Sequence, residues 1–228
     1  MTDVVLPPTA EITDADTPAP GRSRRNRGSE VVRDALLNAA IREFASRGFD
    51  GASTRRIAEA AGAHQSQIRY HFDSKDELWK RCVERLIGEL DTIISQAFDG
   101  SDGDPRATFE ASIRGLVRFM ARWPELNRIM LHEATSETPR LIWLVQTHLA
   151  SRHEALTDAW SELASAGLVA SIDPDLLYHS LIGAASLFYS NAPEAMLLGI
   201  DPTDPSVIDR HADALVALFL TPPAKERA

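Results

Sequence analysis

A short stretch near the amino terminus carries many side chains that can hydrogen-bond outward. Residues 53–72 read STRRIAEAAGAHQSQIRYHF. Two arginines stand in its first part, Gly62 interrupts it, and its second part holds Gln65, Gln67 and Arg69. Gln and Arg side chains can each make two hydrogen bonds to the edge of adenine or guanine, and Ser and Tyr can bond phosphate. These residue types therefore indicate recognition of a nucleic acid.

The distribution of charge agrees with that interpretation, although the whole chain is acidic. The formal net charge is −9 over 228 residues. Residues 22–81 hold 13 Lys and Arg against 8 Asp and Glu, whereas residues 82–228 hold 11 against 21. Residues 1–21 hold four acids and no Lys or Arg. A basic segment on an acidic body suits a small head that binds a polyanion.

The elements that must position these side chains are two short helices and a turn. Ser53 can cap the first helix, Gly62 can take the positive φ that a tight turn needs, and Ile68 anchors the second helix. Two short helices joined by a glycine turn form a helix-turn-helix. Once Ile57 and Ile68 are buried, the second helix must present its Gln- and Arg-bearing face to solvent.

Helical patterns continue along the chain, separated by Gly, Asp and Pro. A first helix is predicted from Ser29 to Gly48, and a long helix capped by Ser74 follows the helix-turn-helix. No alternating run predicts a sheet. We therefore predict an all-α fold with a three-helix head over residues 29–75 and a helical body over residues 76–228.

Residues 1–28 are rich in Pro, Asp, Thr and Gly and predict a disordered N-terminal arm. The arm ends in the basic cluster RSRRNR. That cluster fits either a solubilising segment or an arm that seeks phosphate or the minor groove, and the sequence leaves both interpretations open.

Several classes of protein are disfavoured. No run approaches the roughly 18 apolar residues that cross a bilayer, no secretory signal opens the chain, and Cys82 is the single cysteine. We predict a cytoplasmic protein without membrane contact. His148 and His153 are five residues apart, so a helix points them in different directions, and no phosphate-binding or nucleophile motif occurs. We predict no enzyme activity, no metal and no cofactor.

Three motifs in the head follow one another closely. They are S-T-R-R-I-A-x-x-A-G at 53–62, I-x-Y-H-F at 68–72 and S-K-D-E-L at 74–78. Together they resemble the TetR family of bacterial transcriptional regulators, and the close match covers about residues 29–79. The resemblance implies a homodimeric regulator that binds a palindromic operator in double-stranded DNA. It also implies that the regulator is a repressor, which leaves the operator when it binds a small effector.

The resemblance also implies roles for individual residues of the head. Thr54 and Arg55 would meet the DNA backbone or a nearby base edge, and Lys75 would pair with a phosphate beside the free N–H groups of its helix. The full set of DNA-binding residues predicted in this way is Ser53, Thr54, Arg55, His64, Gln65, Ser66, Gln67, Arg69, Tyr70, His71 and Lys75. His64, Ser66 and Arg69 depart from the usual family residues, so analogy does not give the operator sequence.

In the body, the resemblance implies dimerisation through the last two long helices, within 175–190 and 207–220. Gly183 and Ala184 would let helices approach closely, although both helices could instead complete the core of one protomer. A pocket for a small, largely apolar or aromatic effector is expected among the middle helices. Its predicted lining residues, which could equally be plain core, are Phe109, Phe119, Met120, Trp123, Asn127, Met130, His132, Glu133, Trp143, Gln146 and Thr147.

Two other functions stay open from the sequence. A helical adaptor could keep the same scaffold and contact a protein instead of DNA, which normal dimerisation without DNA binding would reveal. An all-α enzyme in the acidic body would need a paired acid and base, and His132 beside Glu133 cannot share one helix face.

Overall fold

A computed structural model describes residues 20–220, with side chains from residue 28 onward. No strand occurs within these residues, which confirms the all-α prediction. The helices are α1 (Pro20–Gly51), α2 (Thr54–Ala60), α3 (Gln65–Phe72), α4 (Lys75–Asp99), α5 (Pro105–Arg122), α6 (Pro124–Glu133), α7 (Pro139–Leu144), a π-helical turn (Val145–Leu149), α8 (Ala150–Ser165), α9 (Pro174–Ser190), α10 (Ala192–Leu197) and α11 (Pro205–Leu220).

Helix α1 begins at Pro20, ahead of the start at Ser29 that the sequence pattern predicts. Proline suits a first helical turn because the N–H that it lacks would have no partner there. The arginines that follow are good helix formers. The basic cluster at 22–27 therefore belongs to the first turns of α1 rather than to an irregular arm. The prediction of disorder for residues 1–19 lies outside the described residues.

The backbone leaves the helix at Gly48, as the sequence predicts. Gly48 has φ 65° and ψ 179°. A Cβ added there would lie 3.3 Å from the ring of His132 on α6. Glycine is thus required twice, by the positive φ and by the close approach of α6. This kink ends the long part of α1 and directs the chain toward α2.

A small apolar core holds α1, α2 and α3 together. Phe44 and Ile57 are fully buried, and Ile68 and Phe72 are nearly so. The inward positions predicted for the helix-turn-helix are therefore confirmed. Because Ile68 and Phe72 occupy the inner face of α3, its outer face with Gln65, Ser66, Arg69 and Tyr70 is exposed.

The body packs α5 against α4, α9 and α11, and α6 against α1 and α9. Gly115 on α5 is buried where that helix crosses α4, close to Ile93. Arg106 closes the far end of the body, donating hydrogen bonds to the carbonyls of Leu168 and Leu220 at 2.6 Å each. No helix within residues 20–220 is long and apolar enough to cross a membrane.

The sequence predicts one long helix from about residue 138 to 166. The structure interrupts its α-helical geometry with the π-helical turn at Val145–Leu149. Arg152, just beyond this turn, binds both carboxylate oxygens of Asp91 at 2.6 Å and so holds the start of α8 against α4. The continuous helical path is as predicted, and the π-helical turn within it is a difference.

Candidate nucleic-acid interface

Local hydrogen bonds fix the start of α2. The Ser53 hydroxyl accepts from the N–H of Arg56 at 3.5 Å, and the N–H of Ser53 donates to Glu43 on α1 at 3.1 Å. Ser53 therefore works as a helix cap tied to α1. Gly62 has φ 63°, which is the conformation that the tight turn before α3 requires.

The two arginines that open the motif have different surroundings. Arg56 donates to Glu43 at 2.7 Å through Nε and to the carbonyl of Gly51 at 2.7 Å, so it braces α2 against α1. Arg55 is largely exposed, and among residues 28–220 its one ion-pair partner is Glu59, one turn along α2. An exposed pair of this kind is weak, so Arg55 can exchange its partner for a phosphate. The sequence alone did not separate these roles.

The outer face of α3 carries four exposed side chains: Gln65, Ser66, Arg69 and Tyr70. The amide of Gln65 donates to the hydroxyl of Thr54 at 3.0 Å, which links the starts of α2 and α3. Arg69 has no ion-pair partner among the described residues. This face offers the donors and acceptors that base edges require.

Gln67 is placed differently from its neighbours on α3. Its side-chain oxygen accepts a hydrogen bond from the backbone N–H of His64 at 2.9 Å, across the start of the helix. That bond is half of a capping box and satisfies one of the N–H groups at the helix end. Gln67 is also partly buried, whereas His64 itself is exposed. The resemblance implies that Gln67 binds DNA, and in the structure its side-chain oxygen also makes a capping contact at the start of α3.

An open depression of about 360 Å³ lies beside α3. It is lined by Thr54, Gln65, Ser66, Ile68, Arg69, Asp73, Ser74 and Lys75. The depression brings together side chains from the starts of α2, α3 and α4. Five of the eleven predicted DNA-binding residues, Thr54, Gln65, Ser66, Arg69 and Lys75, therefore share one surface, as a single contact with a duplex requires.

The start of α4 borders that surface. Ser74 caps the helix, its hydroxyl accepting from the N–H of Glu77 at 3.0 Å. The Nζ of Lys75 lies 4.6 Å from the centroid of the Phe49 ring, and burial lowers the pKa of Lys75 while Asp50 opposes that shift. A lysine beside the free N–H groups of a long helix suits an anion.

Tyr70 and His71 lie at the other end of α3. Tyr70 is 77% exposed, and its ring meets the His71 ring edge-on at 4.9 Å. Burial and the charge of Arg33 lower the pKa of His71, which favours the neutral ring. Tyr70 is therefore free to reach a phosphate, whereas His71 is partly enclosed by α1.

The predicted effector residues make several different contacts within the body. Phe119 is buried in the core, where Met120 is also enclosed. Phe109 packs on Trp160 with 5.5 Å between ring centroids. Asn127 donates a hydrogen bond to Ser190 at 2.8 Å, and Glu133 accepts hydrogen bonds from Thr138 and Arg140. His132 packs on Gly48, and Trp143 packs on Trp79. Trp123 and Met130 are partly buried, and Gln146 and Thr147 are exposed. Their role as effector contacts stays a prediction.

Three buried polar atoms of the body, in Glu125, His148 and Trp160, have no hydrogen-bond partner among the described residues. The indole N–H of Trp160 is fully buried, and its nitrogen has no hydrogen-bond partner among the described residues. The Nε2 atom of His148 is buried and equally unpartnered, and burial together with Arg152 lowers the pKa of that histidine. No spacing rule marks such atoms, because their isolation depends on which helices surround them.

The comparisons with known proteins bear on the same surface. The family model of the bacterial regulatory proteins of the tetR family matches residues 36–82. The transcriptional activator FasR of Mycolicibacterium smegmatis is 30% identical over 158 residues, which cover 69% of this chain and 70% of that protein. The chain belongs to the TetR family. The matched residues include α2 and α3, and so the TetR-family assignment rests on the surface described above.

Two further proteins that resemble this chain are also transcriptional regulators. The transcriptional repressor SCO4008 of Streptomyces coelicolor is 30% identical over 156 residues, covering 67% of this chain and 76% of that protein. Among solved structures, AibR in complex with isovaleryl coenzyme A and operator DNA superposes with a TM-score of 0.69 at 21% identity, covering 84% of this chain and 99% of that one. The protein is thus a helix-turn-helix transcriptional regulator and not an enzyme.

Proposed function

We propose that a homodimer of this protein binds a palindromic operator in the cytoplasm, with α3 of each protomer in the major groove. The observation that carries the proposal is the exposed face of α3, with Gln65, Ser66 and Arg69 set between cationic groups at the starts of α2 and α4. Two-fold pairs of such heads read half-sites that lie about 34–36 Å, one turn of DNA, or a multiple of it apart.

Base reading is assigned to Gln65, Ser66 and Arg69. Arg69 is exposed and has no ion-pair partner in the part of the chain whose side chains are described, so it can present two N–H groups to a guanine edge. Gln65 keeps its amide oxygen available while its nitrogen donates to Thr54. Gln67 acts mainly by shaping the start of α3, because its oxygen is engaged by His64.

Phosphate binding is assigned to Arg55, Tyr70 and Lys75. These residues belong to α2, α3 and α4, so they flank the reading face on separate sides. Contacts of this type position the head on the duplex without selecting a sequence. Ser53, His64 and His71 support the same surface through the capping and packing contacts of α2 and α3.

The homodimer is assigned to α9 and α11. Leu176 and Leu187 on α9 and Leu218 on α11 are each more than half exposed. Exposed apolar side chains of this size on two long helices suit an interface with a second copy. Gly183 and Ala184 lie on α9, and their small size leaves room for the partner protomer.

A small, largely apolar effector is assigned to the body. The buried indole N–H of Trp160 favours this assignment, since an unpartnered donor in an apolar interior is costly and an acceptor on a bound molecule would satisfy it. AibR, which shares the fold, was solved with an acyl coenzyme A and operator DNA together. The sign of control that we propose is repression, as in SCO4008, with release of the operator when the effector binds.

Selection of duplexes from a random pool with the purified protein tests the DNA-binding part. The affinity for the selected duplex should exceed that for a scrambled one, and it should fall steeply with salt because phosphate contacts release counterions. Arg69→Ala should cost about 1–3 kcal/mol on the selected duplex and relax its preference, whereas Arg55→Ala should weaken both duplexes alike.

Arg122→Ala is the matched control, because Arg122 is an exposed arginine on the body. It should leave both affinities unchanged. If the pool yields no preferred duplex at low salt, or if Arg69→Ala behaves like Arg122→Ala, the assignment of the reading face is wrong. A dimer that folds normally but selects no DNA would favour the adaptor function instead.

A further inference from the structure

The short helix α10 and the turn after it carry a run of exposed apolar side chains. Leu197 is 91% exposed and Leu198 71%, and Met196 and Ile200 on either side are also exposed. We call residues 196–200 the α10 tip. Contiguous apolar surface of this kind is uncommon on a protein that works alone, and it marks a site of interaction.

The α10 tip is held in one conformation by its backbone. The N–H of Ile200 donates to the carbonyl of Ala195 at 2.9 Å, and that of Gly199 donates to Met196 at 3.0 Å. Gly199 has φ 81°, so the turn has the pattern of a Schellman motif. Because the tip is already ordered, little conformational entropy remains to be lost when it binds.

A groove lies between α9 and the α10 tip on the same side of the body. It is lined mostly by apolar residues, with two polar residues at the junction of α9 and α10: Gly183, Ala184, Leu187, Phe188, Asn191, Glu194, Ala195, Leu198 and Ile200. Its volume is about 490 Å³. A Cβ added at Gly183 would meet nothing within 4 Å, so the groove has room for a side chain from another molecule.

We infer that the α10 tip of one protomer seats in the α9–α10 groove of a second copy of this chain. The inference rests on the proposed homodimer and extends its interface beyond α9 and α11. Leu187 belongs both to the groove and to the proposed dimer helix α9, so the two surfaces are continuous. A two-fold interface uses the same surface of both protomers, so that each contact occurs twice. The α10 tip and the groove lie next to each other and can therefore both belong to such an interface.

The exposed apolar side chains of the α10 tip extend the surface proposed for the homodimer. On α9 and α11 the large exposed apolar residues are Leu176, Leu187 and Leu218. A stable interface buries about 800 Å² on each partner. The α10 tip adds Met196, Leu197, Leu198 and Ile200, which raises the number of exposed apolar side chains proposed for the dimer from three to seven.

Sedimentation over a concentration series tests the contact on the full chain. Leu197→Asp removes the apolar tip, and Gly183→Leu fills the groove. Each should raise the dissociation constant of the dimer by about tenfold or more. The matched control is Leu131→Asp, which places the same charge at a half-exposed leucine on α6 and should leave the constant unchanged. Circular dichroism should show all three variants folded.

Disulfide trapping supplies a second readout. A Leu197→Cys chain mixed with a Gly183→Cys chain should give a cross-linked dimer under oxidation, and the Leu197→Cys chain alone should not. Cys82 is buried and stays outside this chemistry.

Unchanged dissociation constants for both variants, with no cross-link, overturn the inference even if the wild-type protein is a dimer. A wild-type protein that is monomeric at every concentration overturns it together with the proposed homodimer. Leu218→Asp, run in parallel, separates the two: a dimer lost with Leu218→Asp and kept with Leu197→Asp leaves the homodimer standing and removes the role of the tip.

Discussion

The Cζ atom of Arg140 lies 3.7 Å from the centroid of the Phe49 ring. Phe49 follows the kink of α1, and Arg140 begins α7, so this contact joins the DNA-reading head to the body. Lys75 approaches the same ring, and Arg140 also donates to the buried carboxylate of Glu133 at 3.2 Å. The Phe49 ring therefore contacts both Lys75, a proposed phosphate-binding residue, and Arg140 of α7. Through Arg140 it is also connected to Glu133 of α6.

Arg140→Ala should lower the free energy of unfolding by about 3 kcal/mol, because it leaves the Glu133 carboxylate buried without its ion pair. Urea unfolding followed by circular dichroism measures this loss. Arg122→Ala removes an exposed arginine that stacks on Trp123 and should cost about 1 kcal/mol or less. Equal losses in the two variants would contradict the importance of the buried pair. In an Arg140→Ala, Glu133→Gln double variant, part of the loss should return.

Gly115→Ala should destabilise the protein by about 1–3 kcal/mol, since the added Cβ would lie 2.7 Å from the Cγ2 atom of Ile93 at the crossing of α4 and α5. Gly88→Ala is the matched change in an exposed part of α4, where the Cβ meets nothing within 4 Å. It should stabilise by about 0.5–1 kcal/mol, because alanine is the better helix former. Thermal unfolding compares the two, and the same sign for both would contradict the packing at Gly115.

Glu43 should make the stability depend on acid. Burial raises the pKa of Glu43, but hydrogen bonds from Arg56 and from the Ser53 N–H, together with the nearby arginine charges, outweigh burial, and the pKa lies below its ordinary value of 4.5. A lowered folded-state pKa gives stabilisation that is complete above about pH 4.5 and is lost as the pH falls through the folded value. The stability difference between wild type and Glu43→Gln should therefore shrink on acidification.

Unfolding in urea between about pH 6 and pH 3 measures that difference. Glu89→Gln, which makes the same change at an exposed position of α4, is the matched control. A difference between wild type and Glu43→Gln that stays constant over the range would mean that the carboxylate does not hold the charge pair described here.

Gln67→Ala should lower stability by about 1 kcal/mol, because it removes the oxygen that caps His64 at the start of α3. Its affinity for a selected duplex and for a scrambled one should fall by the same factor. Gln65→Ala should instead leave stability almost unchanged and alter the preferred sequence. Chemical unfolding and parallel binding titrations separate the two glutamines, and a change of sequence preference in Gln67→Ala alone would reverse their roles.

The sequence predicted the features that depend on near neighbours in the chain. Ser53 and Ser74 cap the helices that their spacing indicated, and Ile57 and Ile68 are buried as the helical period required. Such features follow from local backbone geometry, which residue type largely decides. The all-α fold and the helix-turn-helix followed from them.

Features that depend on contacts between distant segments of the chain could not be predicted from the sequence in the same way. The capping role of Gln67 competes with base reading, and only the folded geometry decides between two uses of one side chain. The bracing role of Arg56 needs Glu43 from another helix. Residue type and helical spacing predict the effector residues, but the individual contacts of these residues depend on the packing of the body. Their sequence carries no sign of which neighbours they meet.

The π-helical turn at Val145–Leu149 determines which face of α8 is turned toward the neighbouring helices. Each residue of an α-helix advances the side chains by about 100° around the axis. A chain one residue shorter at this point would keep the face of α7 on α4 and would rotate Trp160 and the rest of α8 by that angle. The length of this turn, more than its composition, therefore decides which side chains point into the middle of the body.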